Sequence, residues 1–383
     1  MSHTRRVRAL IVLLAFTIPV LVQARDPKSE SEQVGVTVPA GIPPELWAYF
    51  IPKENRMTAA KVELGRQLFF DKALSADGTV SCSTCHDPQR AFADGKAVAE
   101  GINGRRGTRN SPSLLNAMFN SGQFWDGRAA TLEAQAILPL INPDEMGNAS
   151  FSDVVKRLQA VPQYLRQFRD VFGGDLSIEN VGRAIAAYER TLLAGNSSFD
   201  RFVGGDRDAM SSSAQRGLSI FRGRASCARC HTINSSFPFF SDQNYRNTGV
   251  ATAAPSFNLL ARRAVQVLRE KNSISHIQEL GREEGGSELG RFLVSGHTLD
   301  IGSFRTPSLR NVELTAPYFH NGTAATLREV VQFYMKGGGD DPRRDWELQP
   351  VSLNDSEQED LIEFLKSLTS DDHRPRSSSG SQP

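Results

Sequence analysis

All four cysteines of this 383-residue chain stand in two short motifs, Cys82-Ser83-Thr84-Cys85-His86 and Cys227-Ala228-Arg229-Cys230-His231. Thiols three positions apart can each form a thioether to one haem, and the histidine that follows reaches the iron from the same face. Four cysteines could otherwise pair as two disulfides or bind zinc. Neither alternative explains why each pair is followed at once by His. The spacing predicts two covalently attached haem c groups, held at Cys82, Cys85, Cys227 and Cys230, with His86 and His231 as iron ligands.

Each motif needs a framework behind it. A helical pattern from Thr58 to Phe70 leads into the first motif, and a similar one from Ala214 to Phe221 leads into the second. Phe151 to Leu158, Gln163 to Phe172 and Ile178 to Leu193 read as amphipathic helices between them, and Ser356 to Leu368 as a last one. Little alternates in the manner of strands, so the fold class is mainly α. With 31 Gly and 19 Pro it is also loop-rich. The apolar content of 39% is low for globular domains, which suits a protein whose core is partly cofactor. A net charge of +1 gives no argument for nucleic acid or a membrane surface as the main partner.

The chain opens with Arg5, Arg6 and Arg8, then an apolar run from Ala9 to Val22. At about fourteen residues this run is shorter than the roughly 20 that span a bilayer. Val22 and Ala24 offer a cleavage point before Arg25, so residues 1–24 read as an export signal and the mature protein as periplasmic. Residues 25–43 read as a linker. The tail, 371–383, is rich in Ser and reads as disordered.

An internal repeat organises the rest. Ser111-Pro112-Ser113-Leu114-Leu115-Asn116 recurs as Thr306-Pro307-Ser308-Leu309-Arg310-Asn311, and Phe124 to Leu132 recurs as Phe319 to Leu327. Ten of the 22 positions from Ser111 to Leu132 are identical at a constant offset of 195, without a gap. The haem motifs are only 145 apart, so the second half carries an insertion of about 50 residues within Thr232 to Phe304. The expected architecture is two cytochrome c-like haem domains related by duplication, 44–205 and 206–370.

Divergence between the halves bears on the irons. At the repeat offset, Tyr334 of the second half falls opposite Pro139 of the first. Proline has no side-chain donor for iron. If the same turn covers each haem, Tyr334 ligates the second iron and the first stays open for an oxidant. Tyr334 could instead be a core aromatic. Met335, a frequent kind of haem ligand, competes for the iron but sits about 100° further round the helix. The repeat register favours Tyr334.

The run Arg109-Asn110-Ser111-Pro112-Ser113-Leu114, the run Phe124-Trp125-Asp126-Gly127-Arg128-Ala129, and Leu314 to Gly322 together resemble the bacterial di-haem cytochrome c peroxidase family. The resemblance covers about residues 40 to 370. It implies that Trp125 is an electron stepping stone between two haems. It also implies that Gln135 and Glu145 lie over the open haem, where a carboxylate can move the protons of bound peroxide. Asn110, Thr315 and Pro317 match the family's calcium ligands, the last two through backbone carbonyls. Members that need reductive activation carry a His between the first motif and the Arg-Asn run, but Asp87 to Asn110 contains none. Those members also have Met where Tyr334 stands. Both departures resemble the MauG-like branch.

Three functions compete. The first is reduction of hydrogen peroxide, with electrons from a small periplasmic cytochrome c or a copper protein of the cupredoxin type entering at the second haem. The second is a MauG-like oxidase that uses the oxidising equivalents of peroxide on a residue of a partner protein. The third is a two-haem electron carrier, which needs both irons capped and is disfavoured by Pro139. A homodimer is the assembly to test.

Overall fold

A computed structural model describes residues 31–271 and 274–374. The expected export signal lies outside the described residues, as does most of the expected tail. Among the described residues no helix is long and apolar enough to cross a membrane.

Helices dominate, as the sequence pattern predicts. The first half contains α1 (Ala59–Phe70), α2 (Leu132–Ile141) and α3 (Ile178–Glu189). The second contains α4 (Ser212–Arg222), α5 (Phe257–Lys271), α6 (Ile274–Gly281), α7 (Leu327–Met335) and α8 (Asp355–Lys366). The only named strands among the described residues, β1 (Tyr245–Arg246) and β2 (Phe304–Arg305), form one short antiparallel pair with Tyr245 opposite Arg305. Hydroxyl caps set the helix starts: Thr58, Thr131 and Thr326 each accept a bond from an amide three residues on. Thr131 and Thr326 are a repeat pair, so α2 and α7 begin at equivalent positions.

The duplication is legible in the packing. In the first half α1 crosses α3, and in the second α4 crosses α8. A glycine stands at each crossing. A Cβ on Gly65 would lie 1.9 Å from the Ala184 carbonyl oxygen, and one on Gly217 would lie 1.9 Å from that of Asp360. Around the first crossing Leu64, Leu68, Phe69, Phe168 and Ile185 form a core. Around the second, Phe199, Phe221, Phe240 and Phe364 form another. Fully burying one such side chain contributes about 1.5–3 kcal/mol.

The structure differs from the sequence reading at three places. Helix α3 ends at Glu189 rather than Leu193, because the Thr191 hydroxyl turns back on the Tyr188 carbonyl and Asn116 grips both backbone groups of Ala194. The described part of the expected linker is docked: Val34, Val36 and Ile42 are buried with Trp47, Phe119 and Phe237. The insertion, for which the sequence reading named no helix, carries two. Phe257, Leu260, Ala261 and Ala264 of α5 pack with Ile277 and Leu280 of α6 as a small core, against which Trp125 rests.

Candidate active site

Cys82, Cys85 and His86 line a cavity of about 800 Å³ in the first half. Cys227, Cys230 and His231 line one of about 410 Å³ in the second. Both volumes lie within the range of cofactor sites. His86 donates from Nδ1 to the Phe92 carbonyl at 3.0 Å, and His231 does the same to Phe240 at 2.9 Å. Each bond fixes the tautomer that leaves Nε2 free as a metal ligand. Burial lowers the pKa of both imidazoles, which keeps them neutral. Burial also pushes the Cys85 and Cys230 thiols up to about 11, so these walls suit an uncharged thioether better than a thiolate. The four cysteines form no disulfide. Donor types, tautomers and cavity walls all fit haem c.

The distal sides differ. Pro139, inside α2, lines the first cavity, whereas Tyr334 of α7 lines the second. Met335 packs instead against the second-half core. Gln135 and Glu145 share the first cavity's wall with Pro139 and Asn142. Glu145 accepts a bond from the Asn142 side chain at 2.7 Å, yet burial outweighs that bond and raises its carboxyl above the ordinary range. Gln135 Oε1 is buried with no hydrogen-bond partner among the described residues, a polar atom that a bound group could satisfy.

Between the cavities runs a seam built from repeat pairs. Trp125 lines both cavities, and its indole N–H donates to the Asn110 carbonyl at 2.9 Å. The Asn110 amide donates to the His320 carbonyl at 2.8 Å, and the Arg305 amide donates to the Trp125 carbonyl at 2.7 Å. Asn110 with Arg305 and Trp125 with His320 are each 195 apart, so the halves exchange equivalent bonds. Gly127 and Gly322 follow the same rule. Both have positive φ, and each faces the other half, where a Cβ would meet Tyr245 or the Ala97 backbone. Asn110, Thr315 and Pro317 all line the second cavity.

Sequence reasoning missed several residues here. Glu288, from the insertion, accepts from Arg109 at 2.9 Å and from His320 Nε2 at 2.7 Å; Glu288 and His320 are buried and Arg109 is partly so. Burial opposes its ionisation, but the bonds from His320 and Arg109 prevail and hold the carboxyl below its ordinary value. Phe304 stacks on His320 with centroids 3.6 Å apart. The one available signal was His320 standing opposite Trp125 in the repeat. Glu189, whose carboxyl burial pushes up to about 8, lines the first cavity. Gln278, Gly281, Leu293 and Val294 of the insertion line that cavity too.

Residues 59–208 match the family described as di-haem cytochrome c peroxidase. The chain is 37% identical over 375 residues to the cytochrome-c peroxidase IdrP1 of Denitromonas iodatirespirans, covering 96% of this chain and 94% of that protein. It is 36% identical over 319 residues to the methylamine utilization protein MauG of Methylorubrum extorquens, covering 83% and 80%. Among solved structures, a MauG-like protein associated with microbial copper homeostasis superposes with a TM-score of 0.69 at 31% identity, covering 84% of this chain and 92% of that one.

Proposed function

The chain belongs to the di-haem cytochrome c peroxidase family, and from that premise we propose that it is a periplasmic enzyme that reduces hydrogen peroxide in its first cavity. Haem c, when bound, supplies the iron that peroxide meets in that cavity and the electron store in the second. Glu145, raised by burial, takes a proton from peroxide and returns it to the departing oxygen. Gln135 orients the oxidant beside it. Trp125, on the wall of both cavities, carries electrons between the halves. A small cytochrome c or cupredoxin delivers electrons to the second half. One calcium ion is held by Asn110 with the carbonyls of Thr315 and Pro317, and the haem domains are residues 44–205 and 206–370. Export rests on the basic and apolar start of the sequence.

The observation that carries this reading is the asymmetry of Pro139 and Tyr334, repeat partners that each line their own cavity. A second reading, oxidation of a residue on a partner protein, is favoured by Tyr334 itself. Its buried phenol has a raised pKa and ionises only beside a cation such as iron. The resting ferric spectrum tests the shared premise. One high-spin haem is expected, and two low-spin haems would leave an electron carrier or an activation-dependent enzyme. Peroxide turnover with and without reduced cytochrome c then separates the two readings. Fast turnover that depends on the cytochrome supports the peroxidase, while an oxidised state that ignores it supports the protein-directed oxidase.

A further inference from the structure

Arg305 is a buried cation without an anion. It is 6% exposed, and its Nη1 donates to Asn120 Oδ1 at 3.0 Å, a neutral partner. Its Nε is buried with no hydrogen-bond partner, and no carboxylate among the described residues forms an ion pair with it. Of the other arginines on these walls, Arg109, Arg128, Arg224, Arg246 and Arg310 each have a carboxylate partner, while Arg229 and Arg282 are exposed to solvent. Burial pushes Arg305 down to about 10, which still leaves it charged at neutral pH. A buried charge of this kind requires a counter-charge nearby.

Position says where that counter-charge comes from. Among the described residues Arg305 is the one cationic side chain on the walls of both cavities. It sits on β2, with its amide bonded to the Trp125 carbonyl, at the seam where the halves meet. Its repeat partner is Asn110, so the two-fold pair contributes one cation to serve two cavities. Each haem carries two propionate carboxylates, and burying those needs hydrogen-bonded cations.

We propose that Arg305 is a shared counter-ion for the propionates of both haems, so that one side chain sets the potential of each. The inference rests on haem c in both cavities and not on which oxidation the enzyme performs. A cation beside a haem favours the reduced iron, and its loss therefore lowers the potential. A residue serving only one cavity would move only one.

The test uses holoprotein of the parent, R305M and R305K, each assayed for two haems per chain by pyridine haemochrome and then titrated spectroelectrochemically. R305M is expected to shift the reduction equilibrium of both haems at least tenfold toward ferric, about 59 mV for a one-electron couple. R305K, which keeps the charge, is expected to hold both potentials near the parent's. With two haems bound, a shift confined to one haem overturns the proposal, as does the absence of any shift. A shift in R305K as large as in R305M would assign the effect to packing and overturn it too. Should R305M bind fewer haems, R305Q, which also removes the charge, takes its place against R305K under the same criteria. Peroxide turnover is not the readout, so failure of the peroxidase reading would leave the result standing.

Discussion

Glu145 lies in a loop, where a carboxylate ordinarily faces water, but here it forms part of the first cavity's wall. Glu145→Gln should slow the reaction with peroxide by about 10²- to 10⁴-fold, the usual weight of general acid–base catalysis, as read by stopped-flow. Because burial raises this carboxyl, the parent's rate should climb with pH through a value above the ordinary carboxylate range. The variant should lose that climb, and unchanged kinetics would remove Glu145 from the mechanism. Tyr334→Met tests the other iron. Methionine ligation raises haem potentials, so the second haem should titrate at a higher potential. No shift would mean Tyr334 is not on the metal. The cysteines and histidines that line the two cavities were plain in the sequence because their paired spacing is local. Tyr334 was reachable through its register with Pro139. Glu288 and Arg305 were not, since the meaning of Glu288 arises from Arg109 in the other half and that of Arg305 from the two walls it shares.

At the scale of elements, the crossing of α4 with α8 depends on a residue with no side chain. A Cβ on Gly217 would fall 1.9 Å from the Asp360 oxygen and 2.8 Å from Phe364 Cβ. Although alanine is the better helix former, Gly217→Ala should destabilise the protein by about 1–3 kcal/mol through overpacking. Thermal denaturation measures it, and an unchanged midpoint would mean the helices separate freely. Most helices around the motifs were legible, because apolar spacing and hydroxyl caps are local signals. The early end of α3 was not, since it is imposed by Asn116 from a distant loop. Helix α5 carried an apolar stripe, but the Gly, Ser and charge around it masked the pattern.

At the scale of the molecule, the seam joins halves that the repeat identified without showing how they meet. Glu288 balances Arg109 and bonds His320 there, so Glu288→Leu should cost about 2–4 kcal/mol by leaving the partly buried Arg109 without its carboxylate. Urea denaturation of the holoprotein reads this, and a loss below about 1 kcal/mol, the range of exposed pairs, would show the cluster to be solvated. Trp125→Phe should spare peroxide binding while slowing electron transfer between the haems. Rapid-mixing spectra that follow each haem separately provide the check, and an unchanged inter-haem rate would route the electrons elsewhere.

The segment without a counterpart in the first half helps wall the first half's cavity, through Gln278 and Gly281 of α6 and through Leu293 and Val294 beyond it. The first cavity is therefore walled by residues from both halves of the chain. A half transplanted into a relative would arrive without its ceiling. Drift in the inserted stretch can reshape that wall while Cys82, Cys85 and Glu145, which line it from the other half, stay as they are.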